Sequence, residues 1–377
     1  MAVKDVAADG VDPRLHPDFP ESGAPSPRAN SELIGHIEAE QRLARAAQDG
    51  TIAGAWLIGG PMGIGKATLA YRLARHLLAD GGNDMFGGAG DSLALDEADP
   101  VFARVAGAAH GDLLTVELGL NKQGKRRTEI VVDDIRKLEP FFHQSAGEGG
   151  WRVAIIDGAE LMNRNAANAA LKLIEEPPKR SIVILVSHAP ARLLPTIRSR
   201  CRKLHLRPLK PEQVSLLLEQ HLPDVSQEDR LPLARLAEGS PGRAMRLEAL
   251  GGLGLYREIL GLIGEAPRID PLALHGLADR LGGRGNDAAC YTAMDFLGAW
   301  LARLVHAGAV QEIADHQDVV PGEGALMARM ASGGNLERWV DVWEKVARLR
   351  DRADSLNLDR KQVVLAAFGA VEAAARA

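Results

Sequence analysis

The sequence has only two cysteines, Cys201 and Cys290, among its 377 residues. Two thiols so far apart exclude a disulfide framework and are too few for a four-cysteine zinc site. No apolar run is long enough to span a bilayer. The opening residues, MAVKDVAADG, lack the apolar stretch of a secretory signal. We therefore expect a cytoplasmic protein without a membrane partner.

The chain also lacks an excess of positive charge, since its formal net charge is −5 at pH 7. The surface as a whole therefore does not attract polyanions, and any DNA partner must be bound by a local patch or by another subunit. Apolar residues make up 46% of the chain and charged residues 25%, as is typical of globular proteins. A length of 377 residues exceeds what one hydrophobic core supports, so we expect two or three domains.

Alternating strands and helices follow a proline-rich segment, residues 1–30, that we interpret as a flexible tail. Short apolar runs predict strands at 55–58, 113–116, 153–156 and 182–186. Helices are predicted between them, and an earlier one over 31–48 is expected to bury Leu33, Ile34, Ile37 and Leu43 on one side. Unbroken apolar strands that alternate with helices predict a parallel sheet covered on both faces, which is an α/β fold.

The rest of the chain is predicted to be helical. Apolar side chains recur with helical spacing in two stripes: Met294, Leu297, Leu301 and Leu304, and then Trp339, Trp343 and Val346. We predict a tail at 1–30, an α/β core at 31–207, a small helical module at 208–250 and a helical domain at 251–377.

A glycine-rich segment between the first strand and the following helix fits the pattern G-x-x-x-x-G-K. The residues expected to touch nucleotide are Gly60, Pro61, Met62, Gly63, Ile64, Gly65, Lys66, Ala67 and Thr68. Glycines let consecutive N–H groups turn toward phosphate oxygens, the helix directs its positive end there, and Lys66 adds a charge. The sequence therefore predicts a phosphate-binding loop.

Two departures from the usual pattern weaken the case for hydrolysis. Ala67 stands where a Ser or Thr hydroxyl would ligate magnesium, and Thr68 points about 100° away along the helix. Asp157 ends a buried strand and is suited to hold magnesium through water, but Gly158 follows where a glutamate would activate water. Glu160 is three positions from Asp157 and, if this turn is not helical, is expected to face another way. We expect ATP or ADP as the ligand, with magnesium weakly held or absent. A helix cap is the alternative role for Asp157.

The segments NAALKLIEEPP (168–178) and SRC (199–201), taken with the phosphate loop, resemble the clamp-loader branch of the AAA+ ATPases. Within that branch the sequence is most similar to the delta-prime subunits of bacterial DNA polymerase III. The resemblance implies an AAA+ P-loop core, a helical lid at 208–250 and a ring-forming helical collar at 251–377. It covers residues 31–250 well and the rest only in architecture.

The same resemblance assigns roles to residues outside the loop. Arg200 corresponds to an arginine finger that completes the ATP site of a neighbouring subunit, and a solvated arginine is the alternative. Ser187 corresponds to a sensor of the γ-phosphate or, alternatively, caps its strand. Arg243 lies one position later than the second sensor of active subunits. The cysteine-free stretch 80–110 implies that no zinc is bound there.

The function implied is that of a largely non-hydrolysing subunit of a hetero-oligomeric ring that loads the sliding clamp in DNA replication. Its expected partners are gamma/tau-like motor subunits and a delta-like subunit, with the clamp and primed DNA contacted through the assembly. An active motor ATPase or another AAA+ remodelling ATPase is the first alternative. A DNA-binding protein that uses residues 121–127 and 198–203 is the second.

Overall fold

The architecture was obtained from a computed structural model. It describes residues 26–80, 92–119, 127–144, 150–310, 318–332, 336–355 and 358–376. The described residues up to Pro223 form one compact unit together with Glu238–Arg243. Asp224–Ala237 and the described residues from Ala244 onward form a second. The boundaries expected at residues 30, 207 and 250 stay predictions.

A parallel five-stranded sheet organises the first unit. Its strands are β1 (Gly54–Gly59), β2 (Leu113–Val116), β3 (Arg152–Asp157), β4 (Ser181–Ser187) and β5 (Arg202–His205). Their order across the sheet is β2-β3-β4-β1-β5, so β1 lies between β4 and the edge strand β5. This arrangement confirms the predicted α/β fold with a parallel sheet.

Helices cover both faces of this sheet. The helices of this unit are α1 (Ile37–Gln48), α2 (Lys66–Asp80), α3 (Pro100–Ala106), α4 (Val132–Arg136), α5 (Leu138–His143), α6 (Arg164–Glu175), α7 (Pro195–Arg200) and α8 (Pro211–His221). On one face, Leu57, Ile156 and Leu185 pack in a core that includes α6 residues such as Ala170 and Leu173. The strands are apolar on both faces because both faces are buried.

The second unit is helical, as the periodicity predicts. Its elements are α9 (Gln227–Leu236), most of α10 (Pro241–Ala249), α11 (Gly252–Glu265), α12 (Pro271–Leu281), α13 (Asp287–Val310), α14 (Glu323–Ala331), α15 (Leu336–Ser355) and α16 (Arg360–Arg376). The stripe on α13 is buried along its whole length. In the described ranges no helix combines the length and apolarity needed to cross a membrane.

A buried carboxylate lies inside this helical unit. Glu323 accepts hydrogen bonds from the Tyr256 hydroxyl (2.5 Å), from Arg303 (2.8 Å) and from the backbone N–H of Val319 (2.7 Å). Burial raises the pKa of the Tyr256 hydroxyl, which keeps it protonated as a donor. The charge of Glu323 is therefore compensated by three donors.

Two details of the helix predictions were wrong. α1 begins at Ile37, so Leu33 and Ile34 precede it, and the Ile37 side chain is 65% exposed. On α15, Trp339 and Val346 are buried as expected, but Trp343 is 41% exposed. Helical spacing gives the direction of a side chain and cannot show whether a neighbouring element covers it.

Candidate functional site

The loop between β1 and α2 is held by hydrogen bonds to its carbonyl oxygens. The donors are Lys66 Nζ to Pro61 (2.6 Å), Ser240 Oγ to Met62 (2.7 Å), the Gly242 N–H to Gly63 (3.0 Å) and His36 Nε2 to Ile64 (2.7 Å). Burial lowers the pKa of His36, which keeps the ring neutral as a donor through Nε2. Four consecutive carbonyls of the loop thus accept hydrogen bonds.

The backbone N–H groups of the same loop are available to a ligand. From Met62 to Gly65, no backbone N–H donates to another group among the described residues. Helix α2 begins at Lys66, so the positive end of its dipole lies at the same place. Free N–H groups at a helix N-terminus fit a phosphate anion, so these residues suit the phosphates of a nucleotide.

Gly63 is where the loop packs most closely against the start of α10. An added Cβ would lie 2.6 Å from Ser240 Oγ and 3.2 Å from Gly242 Cα, and the backbone φ is +76°. Both the close approach and the left-handed backbone therefore require glycine. The loop conformation depends on α10 as well as on its own sequence.

Lys66 is buried at the base of this loop. Burial lowers the pKa of its ammonium group to about 8, against the opposing influence of the carboxylates of Asp157 and Glu160. A bound phosphate would add negative charge that stabilises this partly desolvated ammonium further. Lys66 is therefore suited to hold an anion.

Asp157 and Ser187 lie at the carboxyl ends of β3 and β4, on the same edge of the sheet as the phosphate loop. Burial, followed by the charge of Glu117, raises the pKa of Asp157 to about 6, although Lys66 opposes the shift. The structure thus brings together the predicted loop residues, Asp157 and Ser187. A carboxyl kept partly protonated near neutral pH is a weaker cation ligand than an ordinary aspartate.

Glu160 and His188 also belong to this site, and sequence reasoning missed them. A short 3₁₀ turn over residues 159–161 buries the Glu160 side chain, whose Oε1 lies 2.6 Å from His188 Nδ1. Burial favours the neutral acid, but the interactions with His188 and Ser187 outweigh it and lower the pKa of Glu160. Glu160 was expected to face another way only if the turn after β3 were not helical, and this turn is a 3₁₀ helix. No sequence signal pairs Glu160 with a histidine 28 positions later.

The backbone at Gly158 disfavours the glutamate that usually follows the strand-ending aspartate. Gly158 adopts φ +76°, and an added Cβ would lie 3.0 Å from Leu161 Cδ1. A glutamate side chain there would be strained, so this backbone does not offer the usual position for a water-activating carboxylate. Ala67 supplies no hydroxyl, and the described residues contain no cluster of three or more side chains suited to hold a metal ion. The residues present fit phosphate, and weak or absent magnesium binding stays a prediction.

Arg200 is not part of this site. It ends α7 and is exposed, with Nε 2.6 Å from Glu175 Oε1 and a guanidinium nitrogen 3.1 Å from the Thr196 carbonyl. Arg200 precedes the start of β5, where Arg202 lies opposite Trp56 in the register of β5 with β1. The phosphate loop begins at the other end of β1, four residues beyond Trp56. At about 3.3 Å per residue, roughly 13 Å of strand separates the two ends. Arg200 thus lies toward the amino-terminal ends of the strands, and the phosphate loop lies at their carboxyl ends.

Arg243 lies at the start of α10, close to the phosphate loop. Its backbone N–H donates to Ser240 Oγ (3.1 Å), and its guanidinium forms an ion pair with Glu238 at 2.8 Å. Ser240 and His36, which hold two loop carbonyls, were also missed from sequence. Their partners are backbone oxygens, which leave no trace in the side-chain pattern.

Comparison with known proteins gives matches over the part of the chain that contains the phosphate loop. Residues 35–210 match the family model described as DNA polymerase III, delta subunit. The DNA polymerase III subunit delta' of Pseudomonas aeruginosa is 38% identical over 200 residues, which are 53% of this chain and 57% of that protein. The corresponding subunit of Escherichia coli is 38% identical over 123 residues, 33% of this chain and 36% of that protein.

More distant matches cover other shares of the chain. The DNA polymerase III subunit gamma/tau of Mycobacterium bovis is 31% identical over 63% of this chain and 40% of its own length. Among solved structures, a gamma subunit-related protein from Thermotoga maritima is 18% identical, with a TM-score of 0.38 over 91% of this chain and all of that chain.

The chain spans about half the length, or less, of the curated relatives it matches. The matched region contains the phosphate loop, Asp157, Ser187 and Arg200. Residues 35–210 thus match the family of DNA polymerase III delta subunits, and about half of the chain is similar to delta' subunits at 38% identity.

Proposed function

We propose that this chain is a subunit of the replicative clamp loader that hydrolyses little ATP itself and completes the ATP site of a neighbouring subunit with Arg200. The observation that carries the proposal is the position of Arg200. It is exposed and lies roughly 13 Å or more along the sheet from the chain's own phosphate loop. An arginine so placed is unable to serve its own site and is available to another.

The chemistry of Arg200 suits this role. Its guanidinium is a permanent cation with a planar fork of donors, which matches the oxygens of a γ-phosphate. The ion pair with Glu175 is solvent-exposed, so exchanging that carboxylate for a phosphate costs little.

Weak hydrolysis by the chain itself is supported by the local geometry. Ala67 provides no magnesium ligand, and Gly158 occupies a left-handed turn where glutamate is disfavoured. Glu160 is buried against His188 and is not free to activate water. The loop amides and Lys66 would still hold the phosphates of ATP or ADP. The expected partners are gamma/tau-like and delta-like subunits, with the sliding clamp and primed DNA bound by the assembly.

The test is ATP hydrolysis by the loader reconstituted from the subunits of the same organism. Arg200→Ala should fold normally and lower turnover at the site it completes by at least about tenfold, because the transition-state charge loses its cation. Arg200→Lys should restore little, because an ammonium lacks the fork.

Arg136→Ala is the matched control, since Arg136 is also an exposed arginine paired with a carboxylate. Unchanged turnover in the Arg200→Ala assembly would remove the finger role. Strong magnesium-dependent turnover by the purified chain alone would instead favour the motor ATPase alternative.

A further inference from the structure

A basic stretch of this acidic protein contains the edge strand of its sheet. From Pro177 to Pro211 the sequence has nine Lys or Arg residues and no Asp or Glu. The stretch includes β5, whose Arg202, Lys203 and His205 are exposed. In the described part of the chain β5 pairs only with β1, so its outer edge carries unpaired backbone groups.

A depression of about 590 Å³ lies beside this edge, between α1 and the start of β5. Three arginines line it, namely Arg42, Arg45 and Arg202, together with Trp56, Glu38 and Asp49. Its floor includes Trp56, a residue that is only 2% exposed.

Two of these arginines are held over the Trp56 ring. The guanidinium carbon of Arg42 lies 5.9 Å from the ring centroid, and that of Arg202 lies 5.6 Å from it. Arg202 also donates a hydrogen bond to the Thr51 carbonyl. Stacking on an aromatic ring restricts a guanidinium and leaves its outer N–H groups available, which is the arrangement that binds carboxylates.

We propose that the edge of β5, with the depression beside it, binds an extended acidic peptide segment of a partner protein as a sixth strand. The backbone of the peptide would pair with the outer edge of β5. Its side chains would alternate between the two faces of the sheet, so that one set of carboxylates meets Arg42 and Arg202 and the other meets Lys203 and His205.

The charges favour this occupant over two others. A second copy of the same edge would bring like charges together, which disfavours strand pairing between identical chains. A nucleic acid would place a dense row of phosphates beside Glu38 and Asp49, and it has no backbone amides to pair with β5. An extended peptide with carboxylates on both of its faces satisfies both the cations and the unpaired strand edge.

The experiment measures fluorescence anisotropy of the full-length chain with a labelled peptide of about eight residues that repeats Glu-Glu-Thr-Thr, which places glutamates on both faces of an extended strand. We expect saturable binding that weakens at least about tenfold when glutamine replaces glutamate, because the ion pairs are lost. N-methylation of alternate peptide amides should weaken it to a similar extent, because the strand hydrogen bonds are lost.

Protein variants locate the site. Arg42→Gln combined with Arg202→Gln should weaken binding about tenfold. Lys203→Gln, which changes an exposed side chain away from the Trp56 ring, should weaken it about threefold without affecting folding. Arg348→Gln, at an exposed arginine in the other unit, is the control and should leave binding unchanged.

Three results would overturn the proposal. The first is equal binding of the glutamate and glutamine peptides, and the second is equal binding of the N-methylated peptide. The third is tighter, Arg202-dependent binding of a single-stranded oligonucleotide of equal charge, which would identify a nucleic-acid surface.

Discussion

Replacing Asp157 by asparagine should stabilise the protein at neutral pH. Burial and the neighbouring Glu117 raise the pKa of this carboxyl from 3.8 to about 6. The native state therefore binds the proton more tightly than the unfolded chain does. The resulting stabilisation is complete below pH 3.8 and is lost as the pH rises through 6. Above pH 6 the ionised carboxylate opposes folding.

The size of the effect follows from the shift. A difference of about two pKa units at about 1.36 kcal/mol per unit gives a cost of up to about 3 kcal/mol at pH 7. At pH 4.5 most of the native-state carboxyl is still protonated, and the cost is about 1 kcal/mol. Asparagine carries no charge, so Asp157→Asn avoids this cost. Its stability gain over the wild type should therefore grow by about 2 kcal/mol between pH 4.5 and pH 7.

The measurement is urea unfolding at both pH values, followed by hydrogen exchange of peptides from β3 so that the sheet unit is scored separately from the helical unit. Asp133→Asn is the matched control, because its carboxylate is exposed, and it should change stability by under about 0.5 kcal/mol. If Asp157→Asn destabilised the sheet unit at pH 7, or if its gain did not depend on pH, Asp157 would not be the strained group that we infer.

Three further substitutions test other parts of the structure. Lys66→Ala should weaken labelled ATP or ADP binding at least about tenfold, and removal of magnesium should change the affinity little; intact binding by the variant would show that this lysine does not hold phosphate. Gly63→Ala should lower the free energy of unfolding, measured with urea, by about 2–3 kcal/mol through both backbone strain and overlap with α10. Gly50→Ala is the control: its φ is +65° and the space around it is open, so it should lose only the strain of about 1 kcal/mol. Equal losses would rule out the close packing at Gly63. Glu323→Gln should lower the stability of the helical unit by about 3 kcal/mol because its buried donors lose a charged acceptor, and Glu344→Gln, in an exposed pair, should have little effect; a small loss at Glu323 would show that the network is dispensable.

Much of the sheet was readable from the sequence because its strands are buried on both faces. Such strands appear as continuous apolar runs, and the run at 113–116 coincides with β2. The phosphate loop was readable for a similar reason, since its glycines and lysine are local requirements of one turn. Exposure on α1 and α15 was not readable, because it depends on which element packs against each helix.

The sequence by itself determined the α/β class, the phosphate loop, the departures at Ala67 and Gly158, and the resemblance to clamp-loader subunits through segments such as 168–178. These features are local, since each depends on residues close together in the chain. Only the tertiary structure decided that Ser240 and His36 hold the loop carbonyls, that Glu160 turns inward to His188, and that Arg200 lies away from its own phosphate loop. Those contacts join residues far apart in sequence, and strand order and packing, not local spacing, bring them together.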